Sequence, residues 1–162
     1  MGETYVIRRV YPTLADAQIL LAVERESLGD SNYTPEEALR VLARPEHHAY
    51  VATLDGEVVG FASCFETPCE RGTRLEIDML GVAAARRRRG LATRLILHSM
   101  REAEERGVRA FRAVVAEKNL ASQRAFRCAG FVSSPSPLDM LIYEVGGTIP
   151  VGFLPPKWAW RT

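Results

Sequence analysis

Between Leu75 and His98 the chain reads LEIDMLGVAAARRRRGLATRLILH, and no other stretch restricts the fold so tightly. Leu75, Ile77, Met79, Leu80 and Val82 form a short apolar run with alternating polar insertions, the pattern of a strand. From Leu91 onward the pattern changes. Leu91, Ala92, Leu95, Ile96, Ser99 and Ala103 recur at three- and four-residue spacing, the stripe of an amphipathic helix. Strand and helix meet through a turn of alanines and four consecutive arginines, Arg86 to Arg89, ending at Gly90. With no side chain at Gly90 and a methyl at Ala92, the first N–H groups of the helix are left bare among guanidinium groups. They have no intrahelical acceptor, and the macrodipole adds partial positive charge, so a phosphate-like anion is expected there.

The arginine run is a local feature. Across 162 residues, 21 basic side chains stand against 20 acidic ones, which weighs against a broad nucleic-acid-binding face. Apolar residues make up 47% of the chain, enough for the core of one compact domain. Cys64, Cys69 and Cys128 are odd in number and lack CxxC spacing, so neither a disulfide framework nor a zinc site is expected. The opening MGETYVIRRV has no apolar stretch of signal-peptide length, and nothing approaches the roughly eighteen apolar residues of a membrane span. A cytoplasmic protein without membrane or metal is the expectation.

Taken in order, Tyr5 to Val10 reads as a first strand. Thr13 caps a helix carrying Leu14, Ala17, Leu20, Leu21 and Leu28 and ending at Gly29. Thr34-Pro35-Glu36-Glu37 opens a second helix, stopped by Pro45 after Arg44. The polar loop between them, Gly29 to Tyr33, is either a connector or a substrate-facing segment. His47 and His48 stand at a strand entrance, where adjacent side chains diverge. Ala49 to Leu54 and Glu57 to Phe65 flank Asp55-Gly56, the clearest hairpin turn in the chain. A loop over Thr67 to Thr73 leads into the strand and helix described above, the helix closing near Arg106-Gly107. A strand over Val108 to Ala116 is followed by Asn119, a short helix, and Gly130-Phe131 as its stop. Leu138 to Val145 reads as a strand. Thr148 to Leu154 is either a further hairpin arm or part of an appendage, and Trp158 and Trp160 need a surface to cover them, on the domain or on a second subunit of a homodimer.

Arg87-Arg88-Arg89-Gly90-Leu91-Ala92 fits Arg/Gln-x-x-Gly-x-Gly/Ala and resembles the acyl-CoA pyrophosphate loop of the GNAT superfamily of N-acetyltransferases. Asn119 and Gly130-Phe131 stand at that family's separation, and the order of elements from Tyr5 to Val145 matches its fold. The resemblance implies an α/β (α+β) domain over residues 1–145, with a mixed, mostly antiparallel sheet flanked by helices and splayed at the acyl-CoA site. Residues 146–162 would be an extension or a last hairpin arm. It implies acetyl-CoA as co-substrate, its pyrophosphate on N–H groups from Arg87 through Arg88, Arg89, Gly90, Leu91 and Ala92 to Thr93. The pantetheine arm would run beside Leu80, Gly81 and Val82, with Asn119, Ser122 and the Phe126 position opposite. Asn119 and Ser122 are equally readable as a plain helix cap.

One departure concerns the acid. The family commonly carries a tyrosine seven residues after that asparagine to protonate the departing thiolate, and here the residue is Phe126. A thiol pKa of about 8.5 makes the thiolate a fair leaving group that water can protonate, with Tyr143, Ser122 or Cys128 as other donors. The base is a separate need. A lysine-like amine with pKa of about 10.4 costs roughly 4 to 5 kcal/mol to deprotonate at pH 7, and an α-amine about 1. The resemblance places acidic groups on the strand entering the loop, where Glu76 and Asp78 share a face by period-two alternation. Either is also readable as an ion-paired carboxylate, for example with Arg74. The expected reaction is acetyl transfer from acetyl-CoA to the primary amine of a small molecule or peptide by direct attack. The competing readings are an acyl-CoA-binding sensor without turnover and a polyanion-binding domain.

Overall fold

A computed structural model describes residues 4–29, 31, 33–70 and 72–134, so the strand expected over Leu138 to Val145 and everything after it lie outside the described residues. Asp55 and Gly56 take φ of +52° and +83°, the doubly left-handed pair of a two-residue hairpin. They join β2 (His47–Leu54) to β3 (Glu57–Cys69), with Leu54 opposite Glu57. β1 (Val6–Arg9) pairs antiparallel with β2, and β4 (Gly72–Val82) antiparallel with β3. β5 (Ala110–Arg112) lies parallel to β4, which completes a mixed five-stranded sheet in the order β1-β2-β3-β4-β5.

The loop expected over Thr67 to Thr73 is strand on both sides, with Thr67 opposite Arg74 and Cys69 opposite Gly72. Main-chain pairing at the exposed end of a ribbon needs no apolar alternation, so polar composition there conceals the strands.

Helices cover both faces. α1 (Leu14–Leu28) starts where the Thr13 hydroxyl accepts from the Asp16 N–H and ends at Gly29, with φ +93°. α2 (Pro35–Leu42) opens on a complete capping box between Thr34 and Glu37. It stops two residues before Arg44 because a residue preceding proline is pushed out of the helical region. Ala17, Leu20, Leu21, Val23, Ala38 and Leu42 of these helices bury against Ala49, Val51 and Phe61. On the opposite face α3 (Leu91–Glu105) and α4 (Leu120–Cys128) bury Leu91, Leu95, Ile96, Ala103 and Phe126 against Tyr50, Ala52, Ala62, Cys64, Leu75 and Ile77. His47 Nε2 lies 2.7 Å from the Ser63 hydroxyl, whereas His48 lies 3.3 Å from the Glu66 carboxylate, so the two rings serve different neighbours.

α1 rests on β4 at Gly81. A Cβ there would be driven into the Ser27 side chain and the Phe61 ring. Gly81→Ala should therefore lower the unfolding free energy by about 1 to 3 kcal/mol, read as a lower urea midpoint at unchanged slope. An unchanged midpoint would contradict so close an approach.

Candidate active site

The turn between β4 and α3 begins with a 3-10 turn over Ala84–Arg86. Arg88 and Gly90 then take φ of +64° and +78°, and no side chain caps α3. The helix is held down by Leu91, which is 1% exposed, while the Arg94 N–H is the first to reach back, to the Gly90 carbonyl at 3.1 Å. The N–H groups of Leu91, Ala92 and Thr93 precede it and have no acceptor within the helix, the arrangement expected from the sequence for an anion seat. The Thr93 hydroxyl donates to the Ala125 carbonyl at 3.4 Å and ties this end of α3 to α4.

Not every arginine of the run faces that seat. Arg87 Nε donates to the Val82 carbonyl at 3.0 Å and Nη2 to the Ser27 carbonyl at 2.8 Å, so its side chain is spent on the frame.

The strand expected over Val108 to Ala116 pairs with β4 only where Arg74, Leu75 and Glu76 face Ala110, Phe111 and Arg112. The cause lies in β4. Ile77 faces Cys64 and Met79 faces Ser63, which leaves Asp78 as the extra residue of a bulge. Bulges bend a strand and increase its twist, and beyond this one β4 departs from β5. The Ala83 N–H donates to the Val59 carbonyl of β3 at 2.9 Å. By alternation the main-chain groups of Leu80 and the Val82 N–H point the other way, into the gap beside β5, the Val82 carbonyl on that side being taken by Arg87.

On α4, the Asn119 side chain accepts from the Ser122 N–H at 3.2 Å, so the plain helix cap is present. Phe126 is 7% exposed and packs edge-on against Phe131 at 5.1 Å. It is a core residue with no hydroxyl to offer.

The two carboxylates singled out on β4 have different surroundings. Glu76 receives Arg112 Nε on both oxygens, at 2.9 and 2.8 Å, with Arg74 Nε at 3.4 Å. Among the described residues no ion pair of that kind reaches Asp78. Solvent reaches it, yet enough protein surrounds it that burial raises its pKa, and Glu76 adds to the rise.

A third carboxyl was not singled out from the sequence. Glu24 on α1 is 6% exposed, and burial lifts its pKa to about 7, opposed by the Ser31 hydroxyl and Arg25 and reinforced by Asp78. Tyr33 is raised by burial and then by Glu24 and Asp78, so the three groups share one electrostatic neighbourhood between α1, the segment before α2, and the bulge. The signal was available. Glu24 lies three and four residues after Leu21 and Leu20 and three and four before Ser27 and Leu28, inside the buried stripe of α1. Tyr143 lies outside the described residues.

A family model described as Acetyltransferase (GNAT) family matches residues 15–131. The chain belongs to the GNAT family of acetyltransferases. It is 32% identical over 127 residues to an L-2,4-diaminobutyric acid acetyltransferase of Shouchella clausii (strain KSM-K16), covering 78% of this chain and 70% of that protein. Among solved structures it resembles an aminoglycoside acetyltransferase from an uncultured soil metagenomic sample, with TM-score 0.76 and 16% identity over 87% of this chain and 96% of that one. It also resembles the ribosomal-protein-alanine N-acetyltransferase of Brucella melitensis biovar Abortus 2308, with TM-score 0.71 and 18% identity over 86% of this chain and 100% of that one. The mixed sheet between helices is therefore the GNAT fold, and this GNAT protein is an acetyltransferase of a family that uses acetyl-CoA. No described helix is long and apolar enough to cross a membrane.

The Glu24 environment carries a sign that can be checked. Its folded pKa of about 7 lies above the ordinary 4.5, so its protonated form contributes stability that is fully present below pH 4.5 and lost as pH rises through 7. At pH 8 the folded state holds an ionised buried carboxylate at a cost of up to about 3 kcal/mol. Glu24→Gln should raise the melting temperature at pH 8 and lose that advantage by pH 4.5. Equal stabilities at both pH values would contradict the assigned burial.

Proposed function

We propose that this GNAT protein transfers the acetyl group of acetyl-CoA to a primary amine of a small cationic molecule with more than one amino group. The observation that carries the reading is the interruption of β4 at Asp78, which opens the Leu80 and Val82 main chain beside an uncapped helix N-terminus.

In this reading the pyrophosphate lies on the N–H groups from Arg88 to Thr93, the Arg87 N–H being directed to the Ala84 carbonyl, with Arg88 and Arg89 contributing charge. The pantetheine arm pairs with Leu80 and Val82, passing Gly81, and Asn119 faces it from α4. Bound acetyl-CoA supplies the thioester carbonyl and a thiolate leaving group. The Val82 N–H polarises that carbonyl by donating into the gap. Asp78 and Glu24 attract the acceptor ammonium and take the proton it must lose before attack, a role suited to carboxyls whose pKa values are raised toward neutrality. Glu76, with its oxygens occupied by Arg112 and Arg74, holds the edge of the gap. Phe126 leaves protonation of the thiolate to water.

The acceptor class has two supports. Two carboxyls that act on one another beside the bulge favour a cationic acceptor, and the relatives named above include acetyltransferases of diaminobutyric acid and of aminoglycosides. The burial of Phe126 keeps a second reading, acyl-CoA binding without turnover.

Thiol release from acetyl-CoA should be stimulated by L-2,4-diaminobutyrate or by an aminoglycoside, and kcat/KM should fall as pH drops through about 7, where Glu24 protonates. Asp78→Asn should cost about 10²- to 10⁴-fold in kcat at nearly unchanged CoA affinity. CoA binding with no stimulated release by either amine would favour the second reading.

A further inference from the structure

Ser27 is the joint at which the two sides of the site meet. Its side chain lies over Gly81 of β4, where no Cβ would fit. Its carbonyl belongs to the last turn of α1, where carbonyls run out of intrahelical donors. Arg87 Nη2 fills that vacancy at 2.8 Å from a position sixty residues further along the chain. The same guanidinium, through Nε, holds the Val82 carbonyl at 3.0 Å. Its main chain meanwhile opens the anion turn, with its N–H directed to Ala84 and left-handed Arg88 following.

One side chain thus touches three parts: the anion turn, the β4 residue whose N–H faces the gap, and the end of α1. Glu24 lies one helical turn before Ser27. A guanidinium is a rigid planar fork whose donors diverge at fixed angles, and an ammonium on a flexible stem does not reproduce that two-carbonyl bridge. The positive charge also lies where the negative end of the α1 macrodipole falls, which favours the arrangement further.

We infer that Arg87 is a positioning residue that latches the acyl-CoA turn to the end of α1, so that filling the turn with diphosphate steadies the helix carrying Glu24. The inference rests on the acyl-CoA reading above and goes beyond it: the second arginine of the run acts through carbonyls of the frame rather than on phosphate. Linkage makes the effect reciprocal, so steadying of α1 by an acceptor tightens binding at the turn by the same factor.

The probe is adenosine 3′-phosphate 5′-diphosphate, the part of CoA that carries the phosphates and lacks the pantetheine arm, so any effect on α1 travels through the turn. Amide exchange is followed by NMR at Gly29, whose N–H donates to the Arg25 carbonyl in the last turn of α1, and at Arg94 at the start of α3. In the wild type, saturating probe should slow exchange at both positions by about five-fold or more. In Arg87→Lys the slowing at Arg94 should persist and that at Gly29 should fall below about two-fold.

Undiminished slowing at Gly29 in Arg87→Lys would overturn the latch. So would a wild type that binds the probe without any change at Gly29, an arm that decides the matter even if the lysine variant fails to fold. A wild type that binds neither the probe nor CoA would overturn the latch and the acyl-CoA reading together.

Discussion

The site depends on one interruption. β4 is paired on both edges as far as Glu76, gains an extra residue at Asp78, and leaves β5 behind. Beyond it the Leu80 main-chain groups and the Val82 N–H have no neighbouring strand, while the Val82 carbonyl is taken by Arg87; a folded chain sustains such an edge only where its other contacts hold the strand in place. They do so here: Leu75 and Ile77 are 0% and 2% exposed under α3, and Gly81 is clamped against α1. The core therefore holds open an edge that the sheet alone would seal. Asp78 is the extra residue of that bulge, and its charge acts on Glu24 of α1, so one distortion interrupts the sheet and adds a carboxyl near α1.

Charge is handled in two ways within a few residues. Glu76 is matched by Arg112 and Arg74, whereas for Asp78 and Glu24 burial outweighs the neighbouring charges, Arg25 and the Ser31 hydroxyl opposing it only in part at Glu24. Matching fixes a carboxylate as a structural tie, whereas burial raises the pKa of the other two, that of Glu24 to about 7. A similar division runs through the arginines. Arg87 braces the frame, while Arg88 and Arg89 remain exposed beside the helix N-terminus. Burying Glu24 costs stability once it ionises, a trade of the kind made at sites that do chemistry and in keeping with the role proposed for it.

Local rules were sufficient for the turns and caps. Asp55-Gly56, the Thr34-Glu37 capping box, Gly90 and the Asn119 cap each follow from a few neighbouring residues and stand where the sequence pointed. The strand-helix unit around the arginines was legible for the same reason. Tertiary choices were not. The pairing of Thr67 to Thr73 is decided by the opposite strand, and the short reach of β5 by a bulge on its neighbour. Among the site residues, the preference between Glu76 and Asp78 turns on Arg112, which lies 36 residues away in sequence. Glu24 was visible as a charge in an apolar stripe, but its partner Asp78 comes from a strand that only folding brings beside it.

The central claim is that a freed stretch of β4 and the start of α3 together hold the thioester beside the Asp78 and Glu24 carboxyls. A crystal structure with CoA bound tests it most directly. The account predicts diphosphate on the amides before Arg94, the pantetheine chain paired with Leu80 and Val82, and the sulfur at the end of the gap that Asp78 borders. CoA seated away from β4, or a sulfur directed toward α4 with Asp78 and Glu24 out of its reach, would contradict it.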